Sequence, residues 1–198
     1  MTKRFLAFIL VLLTALAGCA QIREYTDIPK KEGVSDEYIK DLAAWTRTNT
    51  VYSEFETNLK IVCTYKSRKF KESYVREYSR VYLLPKEAEQ QKMQLMKEMS
   101  AEETEFSFYA YTSDFEANDF SRAESSWKVF LLDEKGNQVH PIEIRRINNI
   151  TPVVERFYPY INQYHGKFYT LRFPRQPDEV KKKLVFTGVL GTVTLEWS

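Results

Sequence analysis

From residue 104 onward the sequence breaks into short alternating apolar runs separated by turn signals, and none of these runs is followed by a helix-length amphipathic stretch of the kind that joins parallel strands. Residues 104–112 alternate around Phe106, Phe108 and Ala110, and residues 127–132 form a second run closed by Asp133, Gly136 and Asn137. Residues 139–147, 168–173 and 185–197 supply three or four more, with Gly188 and Gly191 marking a bulge or turn in the last, where Val193, Leu195 and Trp197 share one face. Period-two runs of this length, bounded by Gly, Asn, Asp and Pro, are half-buried antiparallel strands. Such strands must cover their apolar faces, so the sequence predicts a mainly β, α+β domain built as an antiparallel β-sandwich.

The first half adds helices and one more strand. Ser35 is placed to cap a helix over 36–46, with Asp36 and Glu37 in the first turn, where carboxylates oppose the helix dipole favourably. Residues 46–52, with three threonines and an Asn, break that pattern, and a strand follows at about 53–66 with Leu59, Ile61, Cys63 and Tyr65 on its apolar face. Phe70, Tyr74, Tyr78 and Tyr82 recur every four residues, which fits a helix over 68–84; Pro85 ends it or starts the next, over 86–103. The helical segments near 36–46 and 68–103 are thus an N-terminal helix and an insertion between strands. Met93, Met96 and Met99 at spacing three are expected to pack that insertion against the core. Two packed antiparallel sheets resemble immunoglobulin-like sandwiches in architecture, although the disulfide pair of antibody domains has no counterpart here.

Residues 1–18 read as a signal rather than as a spanning helix. Lys3 and Arg4 precede a run of twelve apolar or small residues over 5–16, whereas a span needs about 20. Leu16, Ala17, Gly18 and Cys19 then match the lipobox, so the N-terminus resembles that of bacterial lipoproteins. The resemblance implies cleavage between Gly18 and Cys19, a diacylglycerol on the Cys19 thiol and an N-acyl chain on its amine. It implies attachment to a membrane through that lipid. Ala20, where an Asp tends to retain such proteins in the inner membrane, implies the outer membrane, facing the periplasm. Residues 19–34, with Pro29, Lys30, Lys31 and Gly33, read as a tether, and residues 35–198 as a single domain.

Charge narrows the partners. The chain holds 29 Lys+Arg and 27 Asp+Glu; cleavage before Cys19 removes Lys3 and Arg4 and no acid, leaving 27 of each sign. A neutral domain carries no footprint for nucleic acid, and its membrane attachment falls to the lipid alone. With Cys19 assigned to lipid, Cys63 stands alone on a buried strand face and forms no internal disulfide.

Few residues carry chemistry. Of the two histidines, His140 precedes Pro141 at a strand start and His165 sits at a turn, and no zinc, phosphate-loop or nucleophile-elbow spacing occurs. Asp114, Glu116, Asn118 and Asp119 place four oxygen-bearing side chains in six residues, a weak metal candidate beside an Asx-turn that caps its own backbone. Lys181, Lys182 and Lys183 read as a solvated turn. The most unusual stretch is 156–164, where Phe157, Tyr158, Tyr160 and Tyr164 surround Pro159; these four are the candidate binding residues, as stacking surfaces or as rigid anchors, with core closure as the competing role. The expected function is a membrane-anchored, non-enzymatic binding or assembly module without a cofactor beyond its lipid. Its partner is an envelope protein or polysaccharide; a lipid-tethered periplasmic hydrolase is the alternative.

Overall fold

The computed structural model describes residues 28–53, 56–178 and 180–198. Within them the chain forms nine strands in two antiparallel sheets and four helices, which fits the α+β sandwich expected. The segment carrying Leu16, Ala17, Gly18 and Cys19 lies outside the described residues. No helix among those described is long and apolar enough to cross a membrane.

Helix α1 (Asp36–Trp45) starts where Ser35 Oγ accepts from the Tyr38 amide at 3.2 Å. It runs straight into β1 (Thr46–Ser53), which pairs with β2 (Glu56–Tyr65) from Thr46↔Thr64 to Ser53↔Glu56. The threonine-rich stretch expected to break the pattern is therefore a strand. Its threonines favour extended backbone, but both of its faces are polar, so no alternation betrays it.

Helix α2 (Arg68–Val81) and helix α3 (Lys86–Glu102) form the insertion, followed by β3 (Glu103–Tyr111). Helix α2 buries Phe70 and Val75. Helix α3 sits outside it: Met93 and Met96 are half-buried against Arg68, Lys71 and Glu72, while Met99 and Leu95 face solvent. The methionine stripe thus packs on a neighbouring helix at two positions and leaves the third in water, because α2 already covers the sheet.

Strands β4 (Trp127–Leu132) and β5 (Gln138–Val139) belong to one sheet, and β6 (Glu143–Arg146) to the other. The single strand expected over 139–147 is split at Pro141, which has no N–H for a ladder, and there the chain changes sheets. A short helix, α4 (Pro152–Phe157), follows Thr151, whose Oγ1 caps Val154. Strands β7 (Lys167–Pro174), β8 (Lys182–Gly188) and β9 (Gly191–Trp197) complete the fold, the last two joined by a tight turn in which Gly191 takes φ +132°.

The sheet orders are β1-β2-β3-β7-β6 and β5-β4-β8-β9, so the likeness to immunoglobulin domains is one of architecture, with its own strand order. Between the sheets lies an aromatic core. Phe108 stacks on Tyr169 at 4.8 Å and meets Phe186 and Phe120 edge-on at 5.1 and 5.3 Å. Cys63 is fully buried in this core, and burial pushes its thiol pKa well up, which keeps it unreactive. At one edge, side chains of β1 satisfy β9: Arg47 Nε donates to the Glu196 carbonyl at 3.0 Å and Asn49 Nδ2 to the Thr194 carbonyl at 3.2 Å. The lysine run is not a turn. Lys181 and Lys183 flank Glu196, whereas Lys182 is buried and donates to the carbonyls of Pro177 and Val180.

A second apolar cluster lies on the other face of the larger sheet. Val62, Tyr109 and Phe168, adjacent across β2, β3 and β7, are covered by Tyr38, Leu42, Phe70, Phe157, Tyr158 and Ile161. Ile28 and Val34 join it, so residues 28–34, expected as tether, are a strap held on the body. Arg156 Nη1 donates to the Glu32 carbonyl at 2.9 Å and Arg80 Nη2 to the Gly33 carbonyl at 2.8 Å. Gly33 has φ +93°, and a Cβ there would lie 2.4 Å from Arg156 Nη1.

Candidate functional site

The helical cover stops short of one end of the larger sheet, and the uncovered part is the floor of a groove of about 820 Å³. Thr48, Thr50 and Tyr52 of β1 and Lys60 and Val62 of β2 contribute to it, because the antiparallel register sets Thr48 opposite Val62 and Thr50 opposite Lys60 on one face. Residues 159–164 bound it with Tyr160, Asn162, Gln163 and Tyr164, joined by Pro29 and Lys31 of the strap and Glu155 of α4.

The aromatic stretch divides between core and groove. Phe157 and Tyr158 are buried; Phe157 packs on Tyr74 at 4.7 Å, and the Phe157 carbonyl accepts from Tyr38 Oη at 2.9 Å. These two candidates close the helical layer and present nothing to solvent. Tyr160 serves both regions: it borders the groove, while its hydroxyl turns inward to Thr64 Oγ1 at 2.8 Å, which in turn meets Thr46 Oγ1 at 2.7 Å. Burial, helped by the Tyr158 phenol, pushes the Tyr160 pKa well up, and the bond to Thr64 anchors the ring. Tyr164 is 84% exposed and Tyr52 is 70% exposed, both on the groove. Tyr109 completes the aromatic set, its phenol pushed up to about 12 by burial and by Tyr111.

The polar groups around these rings are mixed. Thr48 Oγ1 donates to the Ile61 carbonyl at 3.1 Å, which leaves its oxygen free to accept. Asn162 Oδ1 accepts from the Tyr164 amide at 3.1 Å, and Glu155 Oε1 accepts from Gln163 Nε2 at 3.0 Å. Lys31 and Lys60 have no ion-pair partner among the described residues. Tyr52, Thr50 and Lys60 escaped sequence reading because what places them together is the pairing of β1, a strand that its polar faces conceal.

The acidic loop is arranged differently from a metal cradle. Asp114 and Glu116 are exposed and form an Asx-turn, Glu116 N donating to Asp114 Oδ1 at 2.9 Å. Asn118 points inward: its Nδ2 donates to the Ala110 carbonyl at 2.7 Å, and its own carbonyl accepts from Lys167 Nζ at 2.6 Å and Tyr169 Oη at 2.9 Å. Asp119 pairs with Arg122. The Lys167 ammonium thus sits beside the loop and holds the carbonyls of Phe115 and Asn118. Among the described residues, no three His, Cys, Asp or Glu side chains converge as a metal would require.

Compared with protein-family models, with curated proteins and with solved structures, the chain matches none.

Proposed function

We propose that this chain is a lipid-anchored envelope lipoprotein, held through Cys19 in the outer membrane and facing the periplasm, whose groove is the binding site of a non-enzymatic module. The anchor rests on the resemblance at Leu16, Ala17, Gly18 and Cys19; the observation that carries the binding reading is the exposure of Tyr52 and Tyr164 on one concave surface, where the other rings among the described residues are mostly buried. Large exposed aromatics gathered at a groove mark recognition, since Tyr offers contact area at low entropic cost. The groove residues also weigh against a hydrolase. Glu155 is the one carboxylate among them, and it is tied to Gln163; Ser, Cys, His and Asp are absent from the described lining. Hydrolysis of a glycosidic bond uses two carboxylates, and acyl transfer uses a nucleophile beside a base.

A photoreactive side chain at position 164, compared with one at position 135 in the exposed β4–β5 turn, tests the reading in cells grown with a clickable palmitate analogue. The expected result is lipid label that Cys19→Ala abolishes, and crosslinking to an envelope component at 164 but not at 135. Equal crosslinking at the two positions, or full label in Cys19→Ala, overturns it.

A further inference from the structure

Resting on that groove as the binding site, we infer that its occupant is an extended, amide-bearing glycan strand that carries carboxylates. Four features of the groove point there.

Shape comes first. Its floor follows β1 from Thr48 to Tyr52, about 13 Å at ~3.3 Å per residue, and it is open rather than enclosed. A floor of that form suits several rings of a linear polymer rather than one small molecule sealed from water. Second, two of the aromatic faces are presented to solvent and a third is anchored. Tyr52 and Tyr164 stand largely in solvent, and Tyr160 is locked by its buried hydroxyl bond to Thr64. Exposed flat rings beside one fixed ring match the C–H faces of pyranoses, which stack without demanding a particular side chain. Third, the polar groups between the rings are hydroxyls and amides: Thr48, Thr50, Asn162 and Gln163. Such groups donate and accept, as sugar hydroxyls and N-acetyl amides require. Fourth, Lys31 and Lys60 are set against the single carboxylate of Glu155, an excess of positive charge within a mature chain of 27 basic and 27 acidic residues. That local excess complements carboxylates spaced along a polymer.

Other occupants fit less well. A peptide adding as a strand needs an open sheet edge, but the edge of β1 is turned to β9, where Arg47 and Asn49 engage its carbonyls. An amphipathic helix needs a continuous apolar trough, and this floor interrupts Tyr52 and Val62 with Thr48, Thr50 and Lys60. Two lysines are too few to hold nucleic acid or an anionic bilayer.

The test is calorimetric titration of the full-length chain in detergent with three probes. These are soluble oligomers of N-acetylglucosamine and N-acetylmuramic acid, neutral chito-oligosaccharides, and polygalacturonate, which has carboxylates and no amide. The muramic oligomers are expected to bind most tightly, the chito-oligosaccharides several-fold more weakly, and polygalacturonate not at all. Tyr164→Ala and Tyr52→Ala each lower affinity about tenfold at unchanged melting temperature. Lys60→Ala erases the advantage of the muramic oligomers while leaving the chito-oligosaccharides unaffected. Tight binding of polygalacturonate, or undiminished binding by both tyrosine variants, refutes the assignment. If no glycan binds while position 164 still crosslinks an envelope protein, the glycan assignment fails and the groove reading stands; if both fail, neither stands.

Discussion

The two faces of the larger sheet are built by different rules. The inner face meets the smaller sheet through side chains that are almost all apolar, and Phe106 and Phe108 of β3 and Tyr169, Leu171 and Phe173 of β7 fill it at every second position. The outer face meets helices and loops through apolar rings threaded with polar and charged groups: Thr46, Thr64 and Tyr160 in one chain, and Lys66, Lys71 and Glu105 in another. An apolar core is set by volume and alternation and tolerates little else. A polar layer is set by partners, and each partner left alone in a buried place costs more than the bond contributed. The inner face therefore carries the fold, while the outer face decides where its cover ends, and so where the groove begins.

Replacement in the inner core should have the largest effect. Phe108→Ala removes a ring packed against Phe120, Tyr169 and Phe186, and is expected to cost about 3–5 kcal/mol in chemical denaturation. A loss below about 1 kcal/mol would remove the distinction between the faces. In the outer layer, Glu105→Gln leaves the Lys66 and Lys71 ammoniums, now 2.6 and 3.2 Å from its carboxylate, without their counter-charge, at an expected cost of about 2 kcal/mol.

Acid should act on the same group. Burial by itself raises the Glu105 pKa, but Lys66 and Lys71 outweigh it and hold the carboxyl below its ordinary value. Its contribution is present above the unfolded pKa and is lost as pH falls through the lower folded one. Glu77 behaves alike, with burial opposed by Arg80 and by the amide and hydroxyl of Ser35. Hydrogen exchange below pH 4.5 is thus expected to open α1, α2 and the strap before the sandwich, and Glu105→Gln should flatten the acid limb. Simultaneous opening of both faces in both proteins would contradict this.

Ser35→Ala removes the α1 cap and one bond to Glu77, and is expected to cost about 1 kcal/mol, read as a modest fall in melting temperature with faster exchange in α1. The smallest effect belongs to the groove. Tyr164→Ala should change stability by no more than about 0.5 kcal/mol, since the ring is exposed, whereas Tyr158→Ala, in the same aromatic stretch, should behave as a core truncation. Equal losses at 158 and 164 would mean that the groove wall is merely part of the core.

Much of the inner face was legible in the order of residues. Alternation exposed β3, β4, β7 and β9, because a strand with one buried side must repeat with period two, and it put Cys63 indoors. Ser35 and the tyrosine spacing likewise marked α1 and α2, since capping and helical stripes are local. The outer layer was less legible. Strand β1 hides because its threonines face the groove and its Arg47 and Asn49 serve a strand about 150 residues away, a service no local pattern records. Helix α4 did carry a signal, Thr151 before Pro152, but one too short for periodicity to reveal. Local rules also read 28–34 as a tether, whereas Ile28, Val34 and the carbonyls of Glu32 and Gly33 find partners contributed by distant helices.

The sequence alone determined the strand-rich class, the near balance of charge, the apolar setting of Cys63 and the resemblance at Cys19 to a lipidation site. Each of these follows from composition or from spacing within a few residues. Only the tertiary structure decided which of four aromatics around Pro159 face water. Phe157 and Tyr158 are covered by α1 and α2, and Tyr164 lies beyond their reach. Burial of a side chain depends on what the rest of the chain lays over it, and that is a property of contacts more than 80 residues apart.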